Sequence, residues 1–422
     1  MKIAIVGAGF CGLTAAFRLS QKGHKITVFE KEKFVGGLAS DFDIFDDHIK
    51  IERFVHHFFQ SDKHVISLIK ELGLEDKLFF TKSRDANFYN GKIYPFASAV
   101  DLLKFSPLPF FDRIRLGLTT LYLKLNNDWK KFENVTASSW VQKWMGKKVF
   151  EVLWEPLLAA KFGSEFDKVS MVWFWARIKS RTAKLGYLKG GFEVLAQELE
   201  KKIIEGGGEI KFDSPVLSIK SKNNKIEITT KDKNHLFDKV IVTVPASVIA
   251  SIVKDFPKSY LEKLKYPKFL AATSLVLVSN KSLIPNYWLN ILDNNSPFLV
   301  AVEHTNFADI HSYNDKTIMY FGNYLPSNSE DFKLSKEDAL KKYWPYILKI
   351  NPKFDQKNIE QIYFNKALYA QPIVDINYSS KIPEIKTPIA NVYVATMAQI
   401  YPWDRGTNYA VELGQKVAKM AT

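Results

Sequence analysis

Three glycines near the N-terminus have the spacing of a dinucleotide-binding loop. Gly7, Gly9 and Gly12 follow the apolar stretch "KIAIV", and the residues "LTAAFRLSQKG" after them have the pattern of a helix. The first glycine permits a tight turn, the second lets the backbone approach a pyrophosphate, and the third allows helix and strand to pack closely. The next apolar run, "KITVFE", ends on Glu30, whose carboxylate can accept hydrogen bonds from a ribose. This order predicts a parallel sheet that binds a dinucleotide.

A second glycine pair indicates which dinucleotide to expect. Gly36 and Gly37 follow shortly after Glu30 in "EKEKFVGGLAS". The segment resembles the start of FAD proteins related to amine oxidases, protoporphyrinogen oxidase, phytoene desaturases and UDP-galactopyranose mutase. Members of that group usually carry arginine after the glycines, whereas this chain has Leu38. The resemblance implies FAD, and an acid at the ribose disfavours the 2′-phosphate of NADP.

The C-terminal residues also resemble this group. The stretch "NVYVATMAQIYPWDRGTNYAVELGQKVAKM" has the pattern of a buried strand, a loop and an amphipathic helix that begins near Gly406. In the group, this segment brings a helix N-terminus to the flavin ring and pyrophosphate. Arg405 would then be available to a phosphate or to the reduced ring.

The resemblance also extends to the middle of the chain. There, the backbone near Val216 would meet the adenine, and Val244 and Pro245 would close over the ribityl side. The cofactor is expected to be noncovalent FAD, because no cysteine stands near the C-terminus to attach it. The residues assigned to its site are Gly7, Gly9, Phe10, Cys11, Gly12, Glu30, Lys31, Gly36, Gly37, Leu38, Val216, Val244, Pro245, Met397, Arg405, Gly406, Thr407 and Asn408.

The implied fold class is α/β, with two domains. A doubly wound, Rossmann-like FAD domain of the glutathione-reductase-like group would be built from residues 1–85, 188–261 and 386–422. A mixed α+β substrate domain would comprise residues 86–187 and 262–385, and the cavity would lie between the two domains.

Two polar clusters are candidates for chemistry. His57 lies in "ERFVHHFFQSDKHVISLIKELGL", a run that resembles the segment of UDP-galactopyranose mutases in which a histidine sits near the flavin. An imidazole there could orient substrate or influence the protonation of the ring. Glu303 and His304 follow an apolar strand and could supply a general base and hydrogen bonds, or could be a strand end that meets water. Asp62 is expected to cap the helix after His57.

Each of two helical segments has two possible interpretations. Residues 101–125 are apolar with interspersed basic residues, and the favoured interpretation is the interior of a helical domain, with weak peripheral membrane contact as the alternative. Further along, Lys161, Arg177 and Arg181 could bind an anion or cover the surface of their segment.

The composition and charge of the chain limit the classes of partner that we expect. The formal net charge of +14 favours anionic partners, but the basic residues are scattered and no basic-aromatic array indicates nucleic acid. A single cysteine excludes internal disulfides and cysteine-based metal sites, and no metal site is expected. The N-terminal strand cannot also be a cleaved signal peptide, so a cytoplasmic location is predicted, with peripheral membrane association as the variant. The expected partner is a small-molecule substrate, and the oligomeric state is not indicated.

These observations predict an FAD-dependent oxidoreductase of the dehydrogenase, oxidase or desaturase type. It would act on a small or lipid-like substrate by hydride transfer to flavin N5. The alternative is a nucleotide-sugar isomerase similar to UDP-galactopyranose mutase, in which reduced FAD does no net redox work. A flavin-binding protein without catalysis is a third class.

Overall fold

The computed structural model describes residues 1–45 and 49–422, and within them the chain forms twenty strands and fourteen α-helices. The strands are β1 Lys2–Val6, β2 Lys25–Phe29, β3 Asp41–Ile44, β4 Ile49–Glu52, β5 Phe58–Phe59, β6 Leu78–Lys82, β7 Asp85–Tyr89, β8 Lys92–Pro95, β9 Lys184–Leu188, β10 Glu209–Lys211, β11 Ser218–Lys222, β12 Lys225–Thr229, β13 Asn234–Phe237, β14 Lys239–Val242, β15 Phe269–Ser279, β16 Trp288–Ile291, β17 Val300–Glu303, β18 Thr317–Leu325, β19 Ile359–Pro372 and β20 Val392–Val394. The helices are α1 Phe10–Ser20, α2 Lys63–Glu71, α3 Ala99–Lys104, α4 Phe110–Leu125, α5 Ala137–Trp144, α6 Lys147–Val149, α7 Glu155–Phe162, α8 Met171–Ser180, α9 Glu193–Glu205, α10 Ala246–Ile252, α11 Lys258–Lys265, α12 Glu330–Lys333, α13 Lys336–Ile350 and α14 Thr407–Ala421.

Five strands form a parallel sheet in the order β10-β2-β1-β14-β20. Its central strand is apolar on both faces because both faces are covered. Ile3 and Ile5 of β1 join an apolar cluster with residues of α1, α9 and α14. Ala4 and Val6 join a second cluster with the antiparallel layer β11-β12-β13 and with α10 and α11. The predicted α/β class with a Rossmann-like parallel sheet is confirmed.

The strands of this sheet come from residues 2–29, 209–242 and 392–394, which lie in the three segments assigned to the FAD domain. The domain boundaries themselves stay a prediction. Strand β9 was not predicted, and it spans the proposed boundary at residue 188 while pairing with β5 and β6.

A second, seven-stranded sheet has the order β19-β15-β18-β17-β16-β7-β8, and its described pairs are antiparallel except β7 with β16. Side chains alternate between its faces, as the pleat of a strand requires. Leu275 and Leu277 of β15 pack in a cluster with α13. Val276 and Val278 belong to the cluster that also covers the helical face of the parallel sheet. The two sheets therefore share one apolar core.

Helices α3 to α8 form a third layer beside the seven-stranded sheet. Most of their core residues, including Leu116 and Leu123 of α4 and Phe174 and Trp175 of α8, lie in one cluster. Only the inner side of α4 is buried in this way. None of the described helices has the length and the apolar content that crossing a bilayer requires.

Candidate functional site

The glycine loop between β1 and α1 is shaped by two positions at which a side chain does not fit. Gly7 has a φ of +103°, and its N–H donates to the Phe29 carbonyl at 2.8 Å, which ties the turn to β2. A Cβ on Gly12 would lie 2.0 Å from the Gly7 carbonyl oxygen. The first turn of α1 is therefore pressed against the end of β1.

Gly9 differs from its neighbours because a Cβ at this position would meet no other atom within 4 Å. Helix α1 begins at the next residue, and no side chain among the described residues caps its N-terminus, so its first amides are open to an anion. The second loop lies alongside, because the Gly36 N–H donates to the Ala8 carbonyl at 2.9 Å and a Cβ on Gly37 would approach the Gly9 Cα within 3.2 Å. Open space above Gly9 and open helix amides fit the pyrophosphate of a dinucleotide.

Glu30 braces this loop from the end of β2. Its buried carboxylate accepts hydrogen bonds from the Ala8 N–H at 2.7 Å and the Glu32 N–H at 3.0 Å. Each oxygen keeps a further lone pair, so the group has acceptor capacity left for a ribose hydroxyl. The neighbouring Lys31 is exposed, and its ammonium lies 3.1 Å from the Glu32 carboxylate.

The remaining residues assigned to the N-terminal half of the cofactor site pack around the loop. Phe10 is buried at the start of α1, and the Cys11 thiol donates to the Ala395 carbonyl at 3.7 Å. Burial raises the pKa of that thiol to about 12, so Cys11 is a neutral packing residue at physiological pH. Val216 and Val244 are half-buried against the outer face of the parallel sheet. Pro245 directly precedes α10.

The C-terminal segment reaches the same region. Met397 begins a short 3₁₀ turn after β20, and Gly406 and Thr407 line a cavity at the start of α14, which has no side-chain cap. Arg405 also lines this cavity, and its guanidinium is held in place because its Nε donates to Gln371 Oε1 at 2.9 Å and an Nη donates to the Tyr324 hydroxyl. Arg405 therefore ties the start of α14 to the seven-stranded sheet.

Asn408 has a role that the sequence did not indicate. Its side-chain Oδ1 accepts from the N–H groups of His64 at 2.9 Å and Val65 at 3.2 Å, so a residue of α14 caps the start of α2. The expectation that Asp62 caps α2 is wrong in its contact, because the Asp62 carboxylate accepts from the Phe59 N–H instead.

A cavity of about 350 Å³ lies where the second glycine loop, the start of α14 and the seven-stranded sheet meet. Leu38 of the loop and Thr407 of α14 line one part of it, and Tyr320 of β18 and Phe174 of α8 line others. A pocket at the junction of a nucleotide-binding sheet and a second domain is a usual place for a substrate.

His57 lines this cavity, and its Nδ1 lies 3.3 Å from the Tyr287 hydroxyl. Burial, followed by the positive charges of Arg181 and Arg177, lowers the pKa of His57 to about 3. The imidazole is therefore neutral at physiological pH and can accept or donate a hydrogen bond without carrying charge. His56 also lines the cavity, and its Nδ1 lies 2.6 Å from the Phe54 carbonyl.

Glu303 and His304 do not line the cavity. The Glu303 carboxylate accepts from the N–H groups of Leu283 and Ile284, both at 2.9 Å. His304 is buried, its Nε2 lies 2.8 Å from the Tyr313 hydroxyl, and burial lowers its pKa to about 4. The expectation that this cluster faces the redox centre has no support in the geometry, because both side chains are turned into the protein and have structural partners.

One wall of the cavity is strongly cationic. It brings together Lys161 of α7, Arg177 of α8 and Arg181 just beyond α8. Arg177 pairs with the Asp404 carboxylate at 3.1 Å. The Lys161 ammonium lies over the rings of Tyr324 and Trp173, at 4.6 and 5.6 Å, and forms no hydrogen bond or ion pair with the described part of the chain.

The charges of this cationic wall perturb one another. The pKa of Lys161 is well below its usual range, mainly because the side chain is buried and secondly because of the Arg177 charge. Burial and Arg177 also lower the pKa of Arg181 to about 10. Although burial favours the neutral acid, Lys161 and Arg177 hold the pKa of Asp404 below its ordinary value. Asp404 pairs with Arg177, and the Asp85 carboxylate favours the charged form of Arg181, so Lys161 is the member of the wall that contacts no carboxylate of the described chain. A site of this kind fits an anionic ligand.

The parallel sheet and the glycine loop define a dinucleotide-binding protein, and residues assigned to the cofactor line part of the adjoining cavity. The model of the family described as flavin containing amine oxidoreductase matches residues 10–420. The chain belongs to this family, and FAD is accordingly the cofactor of the site.

Known proteins resemble the chain at low identity. It is 25% identical over 302 residues to zeta-carotene desaturase of Capsicum annuum, a match that covers 64% of this chain and 51% of that protein. The chain thus spans about half the length of the curated relatives it matches. An oxidoreductase from Methanosarcina mazei has a TM-score of 0.78 at 18% identity, with 99% of this chain and 100% of that chain covered. Reduced UDP-galactopyranose mutase has a TM-score of 0.77 at 15% identity, with 100% and 96% covered. These structural similarities establish the fold alone.

Proposed function

We propose that the protein is an FAD-dependent oxidoreductase that removes hydride from an organic substrate held in the cavity. FAD, when bound, supplies the hydride acceptor at N5. The observation that carries the proposal is the position of the cavity, which adjoins both the second glycine loop at Leu38 and the N-terminus of α14 at Thr407. A substrate in this cavity would lie next to a cofactor held by the two loops.

The residues of the cavity suggest how the substrate is held. The neutral His57 would orient it by a hydrogen bond, since its Nδ1 already faces the Tyr287 hydroxyl. The apolar side chains of Leu153, Leu157 and Phe174 would exclude water from the reacting carbon.

The substrate is proposed to carry a carboxylate or phosphate. Lys161 has no described anionic partner in contact, and Arg177 and Arg181 lie along the same wall. An anionic group bound there would relieve the mutual repulsion of these cations. A tetrapyrrole with carboxylate side chains and an anionic lipid both have this chemistry.

A second candidate function is a mutase that acts on a nucleotide-sugar with reduced FAD and no net redox change. The same cationic wall favours it, because a diphosphate is the anion that clustered arginine and lysine side chains bind well. The fold shared with reduced UDP-galactopyranose mutase is compatible with this activity but does not assign it.

The experiment that separates these functions uses the FAD-loaded protein. It is reduced with dithionite without oxygen and then given UDP-galactopyranose, while the oxidised protein is given carboxylated tetrapyrroles and anionic polyene lipids. Bleaching of the flavin spectrum by one of the latter, with oxidised product formed, supports the oxidoreductase. Isomerisation of the sugar by reduced protein without flavin oxidation supports the mutase, and turnover of none of these compounds would contradict both functions.

The cationic wall is tested by two variants and a control. Lys161→Met and Arg177→Met should each raise the KM for the anionic substrate roughly tenfold or more, because one charge-assisted contact is lost. Lys168→Met is the matched control, since Lys168 is exposed and pairs with Glu165 outside the cavity. An unchanged KM in both cavity variants would remove the anionic group from the proposal.

A further inference from the structure

Helix α4 presents a row of large apolar side chains to solvent. Phe111 is 82% exposed, Leu118 is 65% exposed and Leu125 is 70% exposed. Large apolar side chains that are exposed singly are common on proteins, but a contiguous row of them marks an interaction surface. The exposed apolar residues of the row are Phe110, Phe111, Ile114, Leu118, Leu121 and Leu125.

These six residues share one side of the helix. At about 100° per residue they fall within about 120° of its circumference. Leu116 and Leu123 fall on the opposite side, where they are buried against the helical layer. The helix is therefore apolar on both its inner and outer sides, and only the inner side is covered by the described chain.

Neighbouring elements extend the row into a broader surface. On α3, Val100 and Leu103 are exposed, and Leu102 lies 3.5 Å from where a Cβ on Gly117 of α4 would be. On the other side, the Arg115 guanidinium donates to the carbonyl of Trp144, whose indole is 53% exposed. We call this surface of α3, α4 and the end of α5 the outer apolar face.

Positive charge borders the outer apolar face. Lys104, Arg115 and Lys143, which lie on the elements that form the face, are exposed. Within residues 99–125 the only acidic residues are Asp101 and Asp112, and Asp101 already accepts from the Ser98 hydroxyl and the Ala97 N–H. An apolar surface with a basic border is complementary to the acyl chains and anionic headgroups of a phospholipid surface.

We propose that the outer apolar face binds to the surface of an anionic phospholipid bilayer, with α4 lying in the plane of the interface. The helix has 16 residues and carries charged side chains, so it suits the headgroup boundary and not a bilayer crossing. A second copy of the chain is a less suitable occupant, because two faces with the same basic border would repel.

The face lies one helix away from the cavity. Helix α8 packs under α4, and the Trp175 indole N–H of α8 donates to the Asn126 carbonyl just after α4 at 3.1 Å. The same α8 contributes Trp173 and Phe174 to the cavity wall. Binding through this face would thus bring the helical wall of the cavity to the lipid surface, whichever reaction the cavity supports.

The test is cosedimentation of the FAD-loaded protein with vesicles. Vesicles of phosphatidylcholine mixed with phosphatidylglycerol are compared with vesicles of phosphatidylcholine alone, at low and high salt. We expect binding to the mixed vesicles that weakens at high salt and is lower on pure phosphatidylcholine. A variant with Phe111→Ser, Leu118→Ser and Leu125→Ser together should bind at least about tenfold more weakly than the wild type, because it has lost apolar area that contacts the lipid.

The matched control carries Leu236→Ser and Leu368→Ser, since both leucines are 50% exposed at other sites. It should bind like the wild type, and all proteins should keep their FAD content and thermal midpoint. Absent binding of the wild type to the mixed vesicles, or equal binding by the triple variant, would overturn the proposal. So would a wild-type dimer that the triple variant converts to a monomer without any vesicle binding, because the face would then belong to a second copy.

Discussion

Gly9 makes cofactor binding separable from folding at a single residue. A side chain at this position meets open space in the protein alone, whereas a side chain at Gly12 would collide with the Gly7 carbonyl. We expect Gly9→Leu to fold with a thermal midpoint near that of wild type without FAD but to bind FAD roughly a hundredfold more weakly, since the side chain fills the cofactor's place. Isothermal titration with FAD and thermal melts of the cofactor-free proteins measure both.

The comparison variant is Gly12→Ala. It should lose about 3 kcal/mol of the free energy of unfolding even without FAD, because the methyl group overlaps backbone. Wild-type FAD affinity in Gly9→Leu would show that the cofactor does not lie over this loop.

Glu52 gives a pH dependence that one substitution can test. Its buried carboxyl group accepts from the Tyr187 hydroxyl at 2.6 Å and the Phe192 N–H at 3.2 Å. Burial raises the pKa of Glu52 to about 7 in the folded protein. Between its ordinary pKa and this value the folded state binds a proton that the unfolded state lacks, so this group's contribution to stability is lost as pH rises from about 4.5 to about 7.

Glu52→Gln should therefore become more stable relative to wild type as pH rises from about 5 to about 8. The Glu52 charge also helps to raise the pKa of Asp41, so the difference between the free energies of unfolding of the two proteins reports this pair of buried carboxyl groups. Glu205→Gln on the exposed end of α9 serves as the control and should show no such trend. A difference that is constant with pH would mean that Glu52 is ionised throughout.

At the scale of elements, one side chain joins the C-terminal helix to the N-terminal half of the chain. Asn408 of α14 caps α2 across more than three hundred residues of sequence. Asn408→Ala should lower the free energy of unfolding by about 1 to 2 kcal/mol, because two N–H groups lose their acceptor. Urea denaturation measures the change.

Two further variants check this interpretation of Asn408. Asn408→Asp keeps an acceptor in place and should retain most of the stability, and Asn127→Ala replaces an exposed asparagine that serves as control. Equal stability of Asn408→Ala and wild type would show that water replaces the cap without cost.

The elements that sequence alone predicts well are those whose pattern lies within a short stretch of the chain. The glycine spacing, the acid at Glu30 and the helix after Gly406 each occupy a short stretch, and the parallel sheet and α14 follow from them. Strand β9 was missed because its five residues contain a glycine and pair only with distant strands. Glu303 follows an apolar strand as expected, but its partners come from residues 283 and 284 and decide that it points inward.

The cationic wall and the outer apolar face could be predicted only in part. Arg177 and Arg181 are close in sequence, although α8 ends at Ser180 and Arg181 is extended, whereas Lys161 reaches them only through the packing of α7 on its neighbours. The periodicity of α4 identifies apolar positions without stating which other element covers them. In both cases tertiary structure decides the outcome.

At the scale of the whole molecule, three segments of the chain converge on one site. The parallel sheet holds the glycine loops, α14 returns from the C-terminus, and the seven-stranded sheet supplies the far side of the cavity. Membership of the flavin-containing family assigns FAD to this site, and a cavity adjoins the glycine loops.

The most direct test of this account is the flavin content of the purified protein, measured from its absorbance spectrum and from the FAD released on denaturation. We expect stoichiometric, noncovalent FAD in the wild type, or stoichiometric uptake after addition of FAD, and its loss in Gly9→Leu. A folded wild-type protein that remains colourless in the presence of excess FAD would contradict the central claim.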